Sequence, residues 1–90
     1  MTEKKILDVV LYGRRKCHLC DDVEIAIRAL AEEFPLRLQL VDIESDEALH
    51  EELMLVIPAV RIDGEMALRS VTHVPTFHEL REAFLSRIGE

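Results

Sequence analysis

The sequence predicts an α/β domain in the order β-α-β-α-β-β-α, with a four-stranded mixed sheet flanked by three helices. Three observations predict it. Strand-like apolar runs and helix-like apolar periodicities alternate from Ile6 to Leu53. Asp63-Gly64 separates two short strand-like segments, the residue pair that favours a tight hairpin turn. Thr76-Phe77-His78-Glu79 has capping-box spacing and opens a last amphipathic stretch.

Each element follows from local chemistry. Ile6 to Tyr12 is apolar at nearly every position except Asp8, which predicts a central strand covered on both faces and ended by Gly13. From His18 to Phe34 the residues Val23, Ala26, Ile27, Leu30, Ala31 and Phe34 recur at three- and four-residue steps. That is one face of a helix, stopped by Pro35. Leu36, Leu38 and Leu40 alternate with Arg37 and Gln39 through Val41, as in a half-exposed strand. The right-handed crossover makes these first two strands parallel. Ser45 is the expected N-cap of a short helix through about Leu53, with Asp46 and Glu47 at its positive end. Ala59 to Ile62 and Glu65 to Leu68 form the hairpin around a type I′ turn. Phe77, Leu80, Phe84 and Ile88, supported by Leu85, are the expected core face of the last helix.

A length of 90 residues allows one domain, expected to span residues 1–90. Apolar residues at 49% are enough for a packed core, and aromatics at 4% make that core aliphatic. The net charge of -7 argues against nucleic acid and anionic membranes as partners, because phosphate binding needs clustered Lys and Arg. The basic run Arg14-Arg15-Lys16 is short and stands directly before Cys17, so a local role is expected. Met1 to Lys5 lacks the pattern of a secretory leader, and no run reaches the ~18 apolar residues of a membrane helix. The expectation is a soluble, cytoplasmic monomer. In a reducing cytosol a C-x-x-C pair is a redox or metal device, not a structural staple.

The chemistry concentrates at Cys17-His18-Leu19-Cys20. Cys17 falls after a buried strand and a glycine, where a helix opens. Unpaired N–H groups and the helix dipole there favour an anion, which lowers a thiol's pKa. Cys20 lies in the first turn on the same side and is expected to be more buried. Cys17 is thus the attacking sulfur and Cys20 the resolving one. Arg14, Arg15 and Lys16 support the Cys17 thiolate, whereas Asp21 and Asp22 oppose it. A protonated His18 would favour either thiolate, or His18 simply fills the loop. A structural zinc site needs four ligands. Cys17, His18 and Cys20 supply three at most, and His50, His73 and His78 lie far along the chain. No metal site is assigned.

With these elements placed, the sequence resembles the glutaredoxins, in particular small bacterial-type glutaredoxin-like proteins with a C-H-L-C or similar centre. The resemblance runs from about Ile6 to about Leu85. Tyr12-Gly13-Arg14-Arg15-Lys16-Cys17-His18-Leu19-Cys20 is similar to the family's Tyr-x-Lys-x-x-Cys-Pro-Tyr-Cys segment, with Arg14 in place of Lys. Leu40-Val41-Asp42-Ile43 resembles the second strand and its acidic exit. Val56-Ile57-Pro58 stands where the family has Val-Pro, and Ile62-Asp63-Gly64-Glu65 matches its hairpin turn.

The resemblance implies a thioredoxin-like fold of glutaredoxin type and thiol–disulfide oxidoreductase activity through Cys17 and Cys20. It implies a cis peptide before Pro58, with Ile57 and Pro58 facing the substrate beside Cys17. Tyr12, Arg14, His18 and Thr76 complete the implied substrate-binding set. Substrates would be protein disulfides or glutathione mixed disulfides. No cofactor is tightly bound, and glutathione is the implied reductant or co-substrate. Two departures bear on this. His18 and Leu19 replace the family's Pro-Tyr. The family's Gly-Gly turn and Asp, which bind a glutathione carboxylate, are replaced by Ser70-Val71-Thr72-His73-Val74-Pro75-Thr76. Thr76 at a helix N-cap is the remaining anion holder, and a protein partner gains ground over glutathione. The competing functions are a non-enzymatic adaptor that uses the same dithiol as a redox or metal sensor, and an iron–sulfur cluster shared between two chains.

Overall fold

The computed structural model describes residues 5–88. Met1 to Lys4, where the absence of a leader was read, lie outside the described residues, as do Gly89 and Glu90. Strand β1 (Leu7–Gly13) leads into α1 (His18–Leu30), β2 (Leu36–Asp42), a single 3-10 turn (Ile43–Ser45) and α2 (Glu47–Leu53). The hairpin β3 (Ala59–Ile62) and β4 (Glu65–Leu68) and helix α3 (Phe77–Ile88) complete the chain.

The sheet order is β2-β1-β3-β4. β1 pairs parallel with β2 and antiparallel with β3, and β3 pairs antiparallel with β4. The chain therefore leaves β1, β2 and β4 at the same edge of the sheet, where β3 begins. Everything that follows those three strands, and whatever precedes β3, is brought to that edge. The α/β class and the mixed sheet with three helices are as the sequence predicts.

Two cores flank the sheet. Leu7, Val9 and Leu11 of β1 pack with Val23, Ile27 and Leu30 of α1 and with Leu80 and Phe84 of α3. Phe34 meets Phe84 edge-to-face, with ring centroids 5.8 Å apart. Such a pair adds about 0.5–1.5 kcal/mol beyond its buried area. On the other face Tyr12, Ile43, Leu53 and Ala59 form a smaller core under α2. The hairpin turn has both central residues at positive φ, Asp63 at 50° and Gly64 at 85°. That is the backbone a type I′ turn demands, and Asp and Gly tolerate it best.

Several local expectations need correction. Helix α1 ends at Leu30, not Phe34. The N–H groups of Glu32 and Glu33 bond to Ala29 and Leu30, three residues back. This tightening comes just before Pro35, which disfavours helical backbone at Phe34. Phe34 is still buried, so its face was read correctly. The N-cap of α2 is Asp46, not Ser45. Asp46 Oδ1 accepts from the N–H groups of Ala48 and Leu49, while the Ser45 hydroxyl donates to Asp42 O at 2.6 Å. Phe77 is 49% exposed and leaves the core face to Leu80, Phe84 and partly buried Ile88 and Leu85, because the first residue of α3 stands beyond the sheet. Leu40, aligned with Leu11, is 50% exposed because β2 is an edge strand and a cavity opens beside Leu40.

Candidate redox site

The loop from Arg14 to Cys17 turns the chain out of β1 and into α1. Lys16 adopts φ 56°, a left-handed conformation that non-glycine residues rarely occupy. It brings Cys17 to the N-cap position, at φ -113° and ψ 97°. The Cys17 carbonyl accepts from the Asp21 N–H at 3.0 Å, so Cys17 already begins the helical ladder. Its Sγ accepts from the Cys20 N–H at 3.2 Å. The sulfur thus does what a capping oxygen does in most helices, and a negative charge on it is favoured by the same N–H.

Cys17 and Cys20 form a disulfide with their Cα atoms 5.3 Å apart. Cys17 is partly exposed, whereas Cys20 is 5% exposed. This is the asymmetry expected of an attacking and a resolving sulfur. Cys20 rests on the end of β1. A Cβ added to Gly13 would lie 3.0 Å from both Cβ and Sγ of Cys20, so glycine is what lets the helix seat so closely there. Behind Cys20, a cavity of about 240 Å³ opens between α1 and β2, lined by Arg14, Arg15, Asp21, Glu24 and Leu40 among others.

The second part of the site is the approach to β3. Tyr12 is aligned with Ala59, so Ile57 and Pro58 lie beside Gly13, at the sheet edge where α1 starts. The Ile57–Pro58 peptide is cis. The chain after β4 is fastened to this segment. The Ser70 hydroxyl donates to Pro58 O at 2.7 Å, and the Ser70 N–H donates to Val56 O at 2.9 Å. Ile57 lies between the two carbonyls so engaged. Its own N–H and C=O have no hydrogen-bond partner among the described residues.

The third part is the start of α3. The Thr76 hydroxyl accepts from the Glu79 N–H at 3.1 Å, and the Thr76 N–H donates to Glu79 Oε1 at 3.0 Å. The capping box read from the sequence is therefore formed. His73 adds its Nε2 to the same carboxylate at 2.8 Å, and Thr72 bonds His73 Nδ1. The Thr76 N–H and then His73 hold the Glu79 carboxyl below its ordinary value.

The other residues expected at the site fall as follows. Tyr12 is buried in the smaller core, and its hydroxyl accepts from Arg61 Nε at 3.0 Å. Arg14, Arg15 and Lys16 are exposed, and none takes part in an ion pair among the described residues. His18 is exposed on the first turn of α1. Thr76 is placed at the same sheet edge, with its hydroxyl and N–H engaged by Glu79. Among the described residues no group of three His, Cys, Asp or Glu side chains is arranged to hold a metal ion. None of the described helices is long and apolar enough to cross a membrane.

Three contributors escaped sequence reading. Gly13 was seen only as a strand terminator, although a glycine directly before a C-x-x-C loop is a signal of close backbone approach. The Ser70 contact joins residues far apart in sequence and has no local signal. The left-handed turn at Lys16 has none either.

Similar proteins share the fold. The solution structure of protein Ne2328 from Nitrosomonas europaea aligns with a TM-score of 0.70 at 21% identity, covering 77% of this chain and 84% of that one. A mutant thioredoxin from Halobacterium salinarum aligns at 0.69 and 19% identity, over 91% of this chain and 74% of its own. Thioredoxin 1 from Thermosipho africanus gives 0.68 and 15%, over 91% and 94%. At such identities the likeness is one of fold, and the fold is thioredoxin-like. No curated protein matches the sequence. The model of the glutaredoxin-like domain (DUF836) matches residues 8–87, nearly the whole chain, and the protein belongs to that family.

Proposed function

We propose that this protein is a thiol–disulfide oxidoreductase. The observation that carries the reading is Cys17 Sγ at the N-cap of α1, accepting the Cys20 N–H, with Cys20 buried behind it. In the reduced protein the Cys17 thiolate attacks one sulfur of a substrate disulfide. A mixed disulfide forms on Cys17 and the other substrate sulfur leaves as a thiolate. Cys20 then loses its proton and attacks Cys17 Sγ, releasing the second substrate thiolate. Two electrons have passed to the substrate, and Cys17–Cys20 is left oxidised. An external thiol, for which glutathione is the proposed candidate, returns it to the dithiol.

The approach to β3 supports a place for the substrate. An extended chain laid along Ile57 would find an N–H and a C=O with no other partner, next to the attacking sulfur. The test is a pair of variants assayed with a chromogenic disulfide. Cys17→Ser is expected to fall to the uncatalysed background. Cys20→Ser is expected to perform the first step and stop as a mixed disulfide visible by intact mass. Wild-type turnover by both variants would end the proposal.

A further inference from the structure

On a chain with a net charge of -7, the attacking sulfur is preceded by three consecutive cations. Arg14, Arg15 and Lys16 are all exposed, and none is neutralised by an ion pair among the described residues. The left-handed backbone at Lys16 holds this turn directly before Cys17. Acids approaching Cys17 therefore meet three cations with no ion-pair partner among the described residues, although Asp21 and Glu24 line the cavity behind Arg14 and Arg15. The neighbouring helix start presents the chain's own Glu79 carboxylate, bonded to the Thr76 N–H, where acids would be repelled.

Exposed apolar side chains stand in the dithiol itself and in the segments joined by Ser70. Leu19 stands between the two cysteines and is 43% exposed. The Ser70 bonds to Val56 O and Pro58 O set Val71, 73% exposed, against the segment carrying Leu55, 83% exposed. Side chains of this kind, grouped around unpartnered backbone, favour a chain with apolar side chains of its own.

We propose that the clients of this site are protein segments in which acidic residues flank the cystine on one side and an apolar residue on the other. The acids engage Arg14, Arg15 and Lys16, and the apolar residue covers Leu19, Leu55 and Val71. The inference rests on the exchange chemistry proposed above and adds the substrate class. Charge complementarity to three consecutive exposed cations directly before the attacking sulfur, on a chain of net charge -7, is what selects this occupant.

The experiment uses the reduced protein in single-turnover stopped flow with three probes. Two are synthetic peptide disulfides that share an apolar residue beside the cystine but carry Asp-Glu or Lys-Lys on the other side. The third is glutathione disulfide. In low salt the acidic peptide is expected to react about tenfold faster than the basic one. The ratio should approach one in about 1 M salt, where the screening length is about 3 Å. Arg14→Glu combined with Arg15→Glu should invert the ratio. Any accompanying change in Cys17 reactivity cancels, because the same sulfur attacks both peptides. Leu55→Ser with Val71→Ser should slow both peptides and leave glutathione disulfide unchanged. Equal rates for the two peptides in low salt, or faster reduction of glutathione disulfide than of the acidic peptide, would overturn the substrate class while leaving the exchange chemistry standing. Failure to reduce any of the three would overturn both.

Discussion

Two helices begin at the same edge of this sheet, and both caps accept the N–H three residues on, but with different atoms in different surroundings. At α3 the Thr76–Glu79 capping box closes the helix start, with His73 added to the Glu79 carboxylate. At α1 the capping atom is a cysteine sulfur, which accepts one N–H and follows three cations that form no ion pair among the described residues. The first arrangement is a structural finish. The second holds a reactive atom where a hydroxyl or carboxylate would serve stability better. On the proposed exchange reaction, the difference marks where stability has been exchanged for chemistry. It also shows that the presence of a helix N-terminus is not what makes a site, because both starts cap the same position and only one does so with a sulfur.

Substitutions can break or sharpen this contrast, and the largest effect is expected at α1. Asp is among the best N-capping residues, so Cys17→Asp should give α1 the kind of start that α3 has. Disulfide exchange should fall to background, while the thermal midpoint should equal or exceed that of the reduced wild type. A midpoint well below it would mean that the sulfur is not acting as a cap.

The next effect concerns the seat of Cys20. Gly13→Ala places a methyl 3.0 Å from Cys20 Cβ and Sγ, and the neighbour must shift to admit it. Overpacking of this kind costs about 1–3 kcal/mol, readable by urea denaturation of the oxidised protein. No loss would show that Cys20 has room to move.

At α3 the expectation is reversed. Thr76→Ala should cost about 1 kcal/mol, lowering the thermal midpoint by roughly 4–8 °C, and leave single-turnover exchange with a small neutral disulfide unchanged. A loss of exchange larger than the loss of stability would give Thr76 a part in the chemistry. The smallest effect is in the pH profile. The Thr76 N–H and then His73 lower the Glu79 carboxyl from 4.5, so its stabilising contribution is present above that value. It is lost as the pH falls through the depressed folded value. Glu79→Gln should therefore be less stable than wild type at neutral pH, with the gap narrowing in acid denaturation as the pH falls below 4.5. A gap that stays constant would remove the ionised carboxylate from the account.

Much of this was legible in the sequence, for identifiable reasons. The hairpin was readable because Asp63-Gly64 must satisfy positive φ locally, and the α3 cap because Thr76 and Glu79 bond each other. The dithiol was readable because spacing and the preceding strand fix where a helix opens. Errors arose where two local answers were nearly equal or where distant packing decided. Ser45 and Asp46 are both good caps, and the Ser45 hydroxyl is drawn to Asp42 O instead. Leu40 and Phe77 follow the right period, yet both are about half exposed, one on an edge strand beside a cavity and the other on the first residue of its helix. The fastening of the loop after β4 to Pro58 depends on a contact between residues 12 apart in the sequence, which no periodicity announces.

The claim that α1 makes Cys17 the attacking sulfur can be tested most directly on the reduced protein. Alkylation by iodoacetamide would be followed against pH, with each cysteine assigned by peptide mass. Cys17 should react first, with an apparent pKa well below the ~8.5 of a free thiol, and Cys20 should stay protected until higher pH. Equal reactivity of both thiols near the free value, or modification of Cys20 first, would contradict the account.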